Sequence, residues 1–352
     1  MLKDKLLISG PCSAESKTQV NQIADYLIKH EKCNVFRAGI WKPRTTPGSF
    51  EGIGDKGLPW LAEVQKKHNI PAATEVALPR HVESCLKHDI KFLWIGARTT
   101  TSPFAVQEIA NSLKGVEDVT IFIKNPINAE LKLWIGAFER FEKIGQTNLG
   151  GIHRGFSGIE NNIFRNLPLW QMAIDLKQKL NDYIVICDPS HICGKRDTIA
   201  SVSQQAIDLN LDGLMVEVHN DPDNALSDPA QQLTPKNFVK MINELNSPSV
   251  HKDVNWSCDE IEYLRAKIDR LDREIISILK ERVNVVTDLG KIKQSQGIPS
   301  FQPKRFDDLI SERIILAKEA KMNTGFIEDL FRKIHFESLR MQNEQFSKKE
   351  CA

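Results

Sequence analysis

The stretch Tyr183-Ile184-Val185-Ile186-Cys187-Asp188-Pro189-Ser190-His191 ends a short apolar run in side chains able to do chemistry, Asp188 and His191. Helical periodicity follows over 198–209. Seven other segments repeat this plan: Leu6 to Ile8, Val35 to Ala38, Ile70 to Thr74, Phe92 to Ile95, Thr120 to Ile123, Leu149 to Ile152 and Gly213 to Val216. At or just beyond their ends stand Cys12, Arg37 with Lys42 and Arg44, Glu75, Arg98, Lys124, Arg154 and Glu217. Eight strand-then-helix units in series predict an α/β fold, a (β/α)8 barrel of the TIM type, whose strand-end loops converge on one site.

Between the runs, apolar residues three or four apart predict helices at 19–31, 60–69, 79–88, 105–113, 131–144, 169–180, 198–209 and 235–245. The segment 246–257, rich in Asn, Ser, Pro and Asp, reads as a linker, giving a barrel at 1–245 and a second domain at 258–352. There the period changes. Ile261, Leu264, Ile268, Leu271, Ile275, Ile278, Val285, Leu289 and Ile292 alternate three and four apart, a helix of roughly 35 residues, about 50 Å long. Such a helix cannot bury its stripe alone, so an all-helical domain with further helices at 303–318 and 325–344, and a homodimer or homotetramer formed through it, are expected.

The chain of 352 residues carries 47 basic and 46 acidic side chains, a formal charge of +1. That balance argues against a nucleic-acid or membrane surface. Seven cysteines without a paired framework, and no run resembling a signal peptide or membrane span, suggest a reducing, cytoplasmic setting.

Positive charge is instead concentrated at the strand ends. Arg37, Lys42, Arg44, Arg98, Lys124 and Arg154 on one mouth would repel one another unless anions bind there. A substrate with a phosphate and a carboxylate, or two phosphorylated substrates, fits; Glu75 is the internal counter-charge. Cys12 taken singly reads more readily as a buried thiol, but His191, Glu217, His219 and Asp228 belong to the same end. One sulfur, one imidazole and carboxylates suit a borderline divalent ion such as Mn, Fe, Co or Zn.

Gly10-Pro11-Cys12-Ser13, Lys42-Pro43-Arg44-Thr45-Thr46, Ile95-Gly96-Ala97-Arg98-Thr99-Thr100, Lys124-Asn125, His153-Arg154-Gly155 and Asp188-Pro189-Ser190-His191 together closely resemble the 3-deoxy-D-arabino-heptulosonate 7-phosphate (DAHP) synthases, in order over about 5–245. The resemblance implies condensation of phosphoenolpyruvate with erythrose 4-phosphate, the first step of the shikimate pathway. It implies Cys12, His191, Glu217 and Asp228 as metal ligands, and Arg98, Lys124 and Arg154 as phosphoenolpyruvate-binding groups. Arg44 and Thr45 would hold the erythrose phosphate, with Lys42 between the substrates as general acid and Glu75 orienting water. The sister enzymes that use arabinose 5-phosphate share the barrel but carry Lys-Ala-Asn-Arg where this chain has Lys42-Pro43-Arg44-Thr45, and the extra arginine favours the shorter sugar.

In the helical domain Arg282 occupies a core heptad position. Lys293, eleven residues on, is turned by about 1,100° and so shares nearly the same face. Two cations on an apolar seam suggest a bound dianion. Ser338 and Gln342 share a face of the third helix. These residues, with Arg265, Arg305 and the position of Gln302, resemble the all-helical chorismate mutases over roughly 258–345. The resemblance implies that arginines and a lysine hold the carboxylates and ether oxygen of chorismate, that Gln342 assists at the ether, and that no metal is needed. Arg265 would be donated to a neighbouring subunit. Two departures stand out: Gln302 where an aspartate is common, and Phe306 where a glutamate usually meets the substrate hydroxyl. The alternative is a dimerising module that senses chorismate or prephenate. With the first strand so close to the start, no N-terminal regulatory domain is expected, and feedback by prephenate through the tail is the expected control.

Overall fold

A computed structural model describes residues 5–43, 48–158, 163–245 and 258–347. The chain divides into two compact units, 1–250 and 251–352. The proposed linker, 246–257, lies outside the described residues.

The first unit is a closed barrel in which every strand pairs in parallel with its sequence neighbours and the eighth pairs with the first. The strands are β1 (Leu6–Gly10), β2 (Val35–Arg37), β3 (Ala72–Val76), β4 (Phe92–Ile95), β5 (Thr120–Lys124), β6 (Leu149–His153), β7 (Ile184–Cys187) and β8 (Gly213–Glu217). Because side chains alternate across a strand, each contributes to two cores. Ile8, Ala73, Trp94, Phe122, Ile152, Ile186 and Met215 fill the barrel. Leu7, Phe36, Leu93, Ile121, Val185 and Leu214 pack outward against the helices.

Helix starts move relative to the periodicity because caps, rather than the first apolar residue, define them. The first helix opens at Lys17, where Ser16 Oγ accepts from Gln19 N at 3.1 Å. The helix expected from Ala105 opens at Pro103, capped by Ser102. A short helix, Pro189–Cys193, follows β7 directly, capped by Asp188 through His191 N at 3.1 Å. These starts satisfy orphan N–H groups and use proline where its missing donor costs nothing.

The second unit holds three helices, Cys258–Ser295, Pro303–Glu319 and Thr324–Ser347. The long helix packs on the third, with Val286 and Gly290 buried. The heptad stripe is not the face that packs: Ile268, Ile275, Ile278, Val285 and Ile292 are each more than half exposed. Arg282 and Lys293 therefore border the exposed stripe and the buried face, so within one chain the stripe is left for the second subunit that the heptads call for. Among the described residues, no helix is long and apolar enough to cross a membrane.

Candidate active sites

A cavity of about 330 Å³ opens at the carboxyl ends of the strands. Lys42, Arg98, Lys124, Arg154 and Arg165 line it, against the carboxylates of Glu75 and Asp228. Each cation is positioned by the fold. Lys124 Nζ, at the end of β5, lies 2.8 Å from Asp188 Oδ2. Arg154 is clamped by two asparagines: its N–H donates to Asn125 Oδ1 at 2.7 Å and its Nη1 to Asn166 Oδ1 at 2.7 Å. Burial brings Arg154 down to about 10, still charged at neutral pH. Arg98 is exposed and donates through Nη1 to Pro43 O at 3.4 Å. Glu75 Oε2 accepts from Trp94 Nε1 at 3.0 Å. Arg44 and Thr45 lie outside the described residues.

Cys12, Arg37 and Glu217 sit beneath this cavity and do not line it. Arg37 is 1% exposed, which corrects its expected place at the mouth. β1 and β2 are neighbours in the sheet, and the Arg37 side chain runs inside the barrel. Its Nη2 is 3.2 Å from Glu217 Oε1, and its guanidinium stands 5.0 Å from the centre of the Trp94 ring. Arg37 Nε and Nη1 are buried with no hydrogen-bond partner. Gly10, at φ +148°, lets the β1 and β2 backbones approach closely: a Cβ there would meet the backbone Arg37 O at 2.1 Å. His219 turns away, with Nε2 3.4 Å from Glu15 Oε2.

The four expected ligands come together in pairs. Cys12 Sγ is 3.3 Å from Asp228 Oδ2, and His191 Nε2 is 3.8 Å from Glu217 Oε1. Among the described residues no three such donors stand in a formed metal site. Lys42 Nζ reaches into the set, 3.0 Å from Cys12 Sγ and 3.1 Å from Cys12 O. Burial, reinforced by Glu217, pushes the Cys12 thiol up to about 12. Burial alone would lower Lys42, but the Cys12 sulfur and the Glu217 and Glu75 carboxylates reverse this and raise it.

Asp188 is a residue whose role the strand pattern did not disclose. Burial opposes its ionisation, yet His191 and Lys124 hold it well below the carboxylate range. Its Oδ2 lies 2.8 Å from His191 Nδ1, leaving Nε2 directed toward Glu217. Arg165, also missed, binds Asp228 Oδ1 at 2.9 Å and Gln231 Oε1 at 2.8 Å. Gln231 in turn donates to Glu217 Oε2 at 2.7 Å. No local motif announces either contact, since the partners lie 63 and 66 residues apart.

Residues 3–251 match the DAHP synthetase I family. The chain belongs to that family. Residues 264–343 match chorismate mutase type II, so a DAHP synthase and a chorismate mutase, a transferase and an isomerase, are joined in one polypeptide. The chain is 30% identical over 243 residues to phospho-2-dehydro-3-deoxyheptonate aldolase of Thermotoga maritima, covering 68% of each chain. It is 33% identical over 86 residues to the T-protein of Haemophilus influenzae, covering 24% of this chain and 23% of that one. A 2-dehydro-3-deoxyphosphooctonate aldolase of Francisella tularensis is 25% identical over 272 residues, covering 69% of this chain and 92% of its own length. The crystal structure of the Thermotoga maritima DAHP synthase superposes with a TM-score of 0.61 at 26% identity, covering 69% of this chain and 68% of that one.

In the mutase unit Arg282 Nη1 donates to Ser338 Oγ at 2.5 Å, and Lys293 Nζ to Ser300 O at 2.8 Å. Ser338 and Gln342 are buried, and Gln342 Oε1 has no hydrogen-bond partner. Gly290 lets the two helices approach: a Cβ there would stand 3.0 Å from Gln342 Cγ. Arg265 is exposed and pairs with Glu262 at 2.7 Å on its own helix. Gln302, which immediately precedes the second helix, and Arg305 are also exposed. The structure thus brings Arg282, Lys293, Ser338 and Gln342 to one helix pair, with Arg265, Gln302 and Arg305 facing solvent.

Proposed function

We propose that the barrel condenses phosphoenolpyruvate with D-erythrose 4-phosphate to DAHP and phosphate, and that the helical unit rearranges chorismate to prephenate. One observation carries the first reading: five cations against two carboxylates in a cavity of about 330 Å³. Such an excess at the cavity surface favours entry of anionic groups, and the two substrates together bring two phosphates and a carboxylate.

Cys12, His191, Glu217 and Asp228 would hold a divalent metal ion. The donor set fits, mixing one soft sulfur with nitrogen and oxygen, and the Asp188 carboxylate 2.8 Å from Nδ1 favours the tautomer that offers Nε2. When bound, the ion would polarise the aldehyde carbonyl. Lys124 and Arg154, both buried, orient phosphoenolpyruvate with no loss of side-chain freedom on binding. Lys42, at the junction of cavity and ligand set, holds the proton that passes to the new hydroxyl. Glu75, fixed by Trp94, orients the water that adds to C2 before phosphate leaves by C–O cleavage. Rates of phosphate release with erythrose 4-phosphate and arabinose 5-phosphate test the sugar choice; a preference for the five-carbon sugar overturns it.

For the mutase, Arg282 and Lys293 take the carboxylates and ether oxygen and hold the compact conformer, while Gln342 is aimed at the ether. Full-length Arg282→Ala protein with undiminished mutase activity overturns this reading. The stripe Ile268, Ile275 and Ile278, exposed in the single chain, supports a homodimer formed through the helical unit; a monomer in light scattering refutes it.

A further inference from the structure

His335 lies on the third helix, three residues before Ser338 and seven before Gln342, so it shares their face. Its Nε2 is buried and has no hydrogen-bond partner. Its ring is held by aromatic neighbours, with the Phe306 centroid at 4.7 Å and the Phe301 centroid at 6.3 Å. The residue as a whole is half-buried, yet these neighbours leave its Nε2 covered. Such an orphaned buried atom calls for a partner, and beside a binding site the ligand can bring one.

Three features narrow the partner. Arg282 and Lys293 are the nearby charges, and both act on the imidazole. A carboxylate is served by those cations. Burial first, and then these two cations, keep His335 below its ordinary value, so the ring enters the site neutral. Phe306, whose ring packs against it at a tilt of 43°, offers no hydrogen bond. A neutral ring nitrogen at the apolar wall suits a neutral polar atom, and chorismate carries one such group apart from its ether, the ring hydroxyl.

We propose that His335 Nε2 hydrogen-bonds the ring hydroxyl of the substrate and is the specificity-determining residue of the mutase site. This rests on the mutase reading above. The ring takes no part in bond making, since the rearrangement moves no proton; it selects the hydroxylated substrate and sets its orientation between Arg282 and Gln342.

The test compares chorismate with its analogue lacking the ring hydroxyl, in full-length wild type, His335→Phe and His335→Gln. Rates give kcat and KM, calorimetry gives Kd, and circular dichroism checks the fold. Wild type should favour chorismate at least tenfold in kcat/KM. His335→Phe should lose about tenfold on chorismate and stay within about threefold on the analogue, and His335→Gln, which keeps an amide near Nε2, should recover part of the discrimination. Equal losses on both substrates overturn the proposal, as does unchanged discrimination in either variant. If His335→Phe fails to fold, His335→Gln and wild type decide it by the same ratio. A wild type that binds chorismate without rearranging it sinks the mutase reading, while the Kd ratios still decide His335. A wild type that does not bind it sinks both.

Discussion

Gly96→Ala should destabilise the barrel through one displaced carboxylate. Gly96 follows β4 with φ −71° and ψ 155°, a conformation that alanine adopts freely. The conflict is therefore spatial: a Cβ would lie 2.1 Å from Glu75 Oε1 and 2.8 Å from Glu75 Cδ. The carboxylate must retreat by at least about 1.3 Å to reach ordinary contact distance. That movement breaks the 3.0 Å bond from Trp94 Nε1 to Glu75 Oε2, and Trp94 is fully buried inside the barrel. A hydrogen bond to a charged acceptor, lost with its donor left buried, costs about 1.5–3 kcal/mol. For a unit of this size that lowers Tm by about 4–10 °C. Thermal unfolding of the single variants Gly96→Ala and Glu75→Ala and of the double variant gives the answer. With Glu75 already removed, Gly96→Ala should cost nearly nothing, so the coupling should equal almost the whole effect. A Gly96→Ala penalty of the same size in both backgrounds, within about 0.5 kcal/mol, refutes the reasoning.

Chelation by EDTA should stop condensation and spare chorismate rearrangement; parallel loss of both would detach the metal from the barrel. Lys42→Met should abolish condensation while leaving phosphoenolpyruvate binding measurable by calorimetry, and near-normal turnover would exclude its role. His153, packed against Trp134, Phe156 and Trp170, is pushed down from 6.5 to about 4, chiefly by burial and further by Arg154. Between those values the unfolded chain binds a proton that the folded chain refuses. Stability should thus be unaffected by this residue above pH 6.5 and fall as the pH drops toward about 4; an NMR titration showing an ordinary histidine would contradict it. Prephenate should inhibit condensation in the full chain, and inhibition that survives deletion of 258–352 would remove the tail from regulation.

Periodicity alone determined the eight barrel units and the three tail helices, because burying one face of each element leaves a repeat readable along the chain. The order of chemistry-bearing residues at strand ends was legible for the same reason: a (β/α)8 barrel places every such end on one rim. Tertiary structure decided which of them face the cavity. Arg37 and Lys124 both end strands, yet Arg37 turns under the floor to Glu217 while Lys124 stays in the wall beside Asp188. Asp188, Arg165 and His335 gained their roles only from partners distant in sequence or from a vacant hydrogen bond, neither of which leaves a local pattern. The heptads likewise announced a long helix, but the side on which it buries was set by the neighbour: Gly290 and Val286, rather than the isoleucine stripe, permit close approach to the third helix. Sequence records what each element must hide, and three-dimensional closure decides which polar groups are left to meet a substrate.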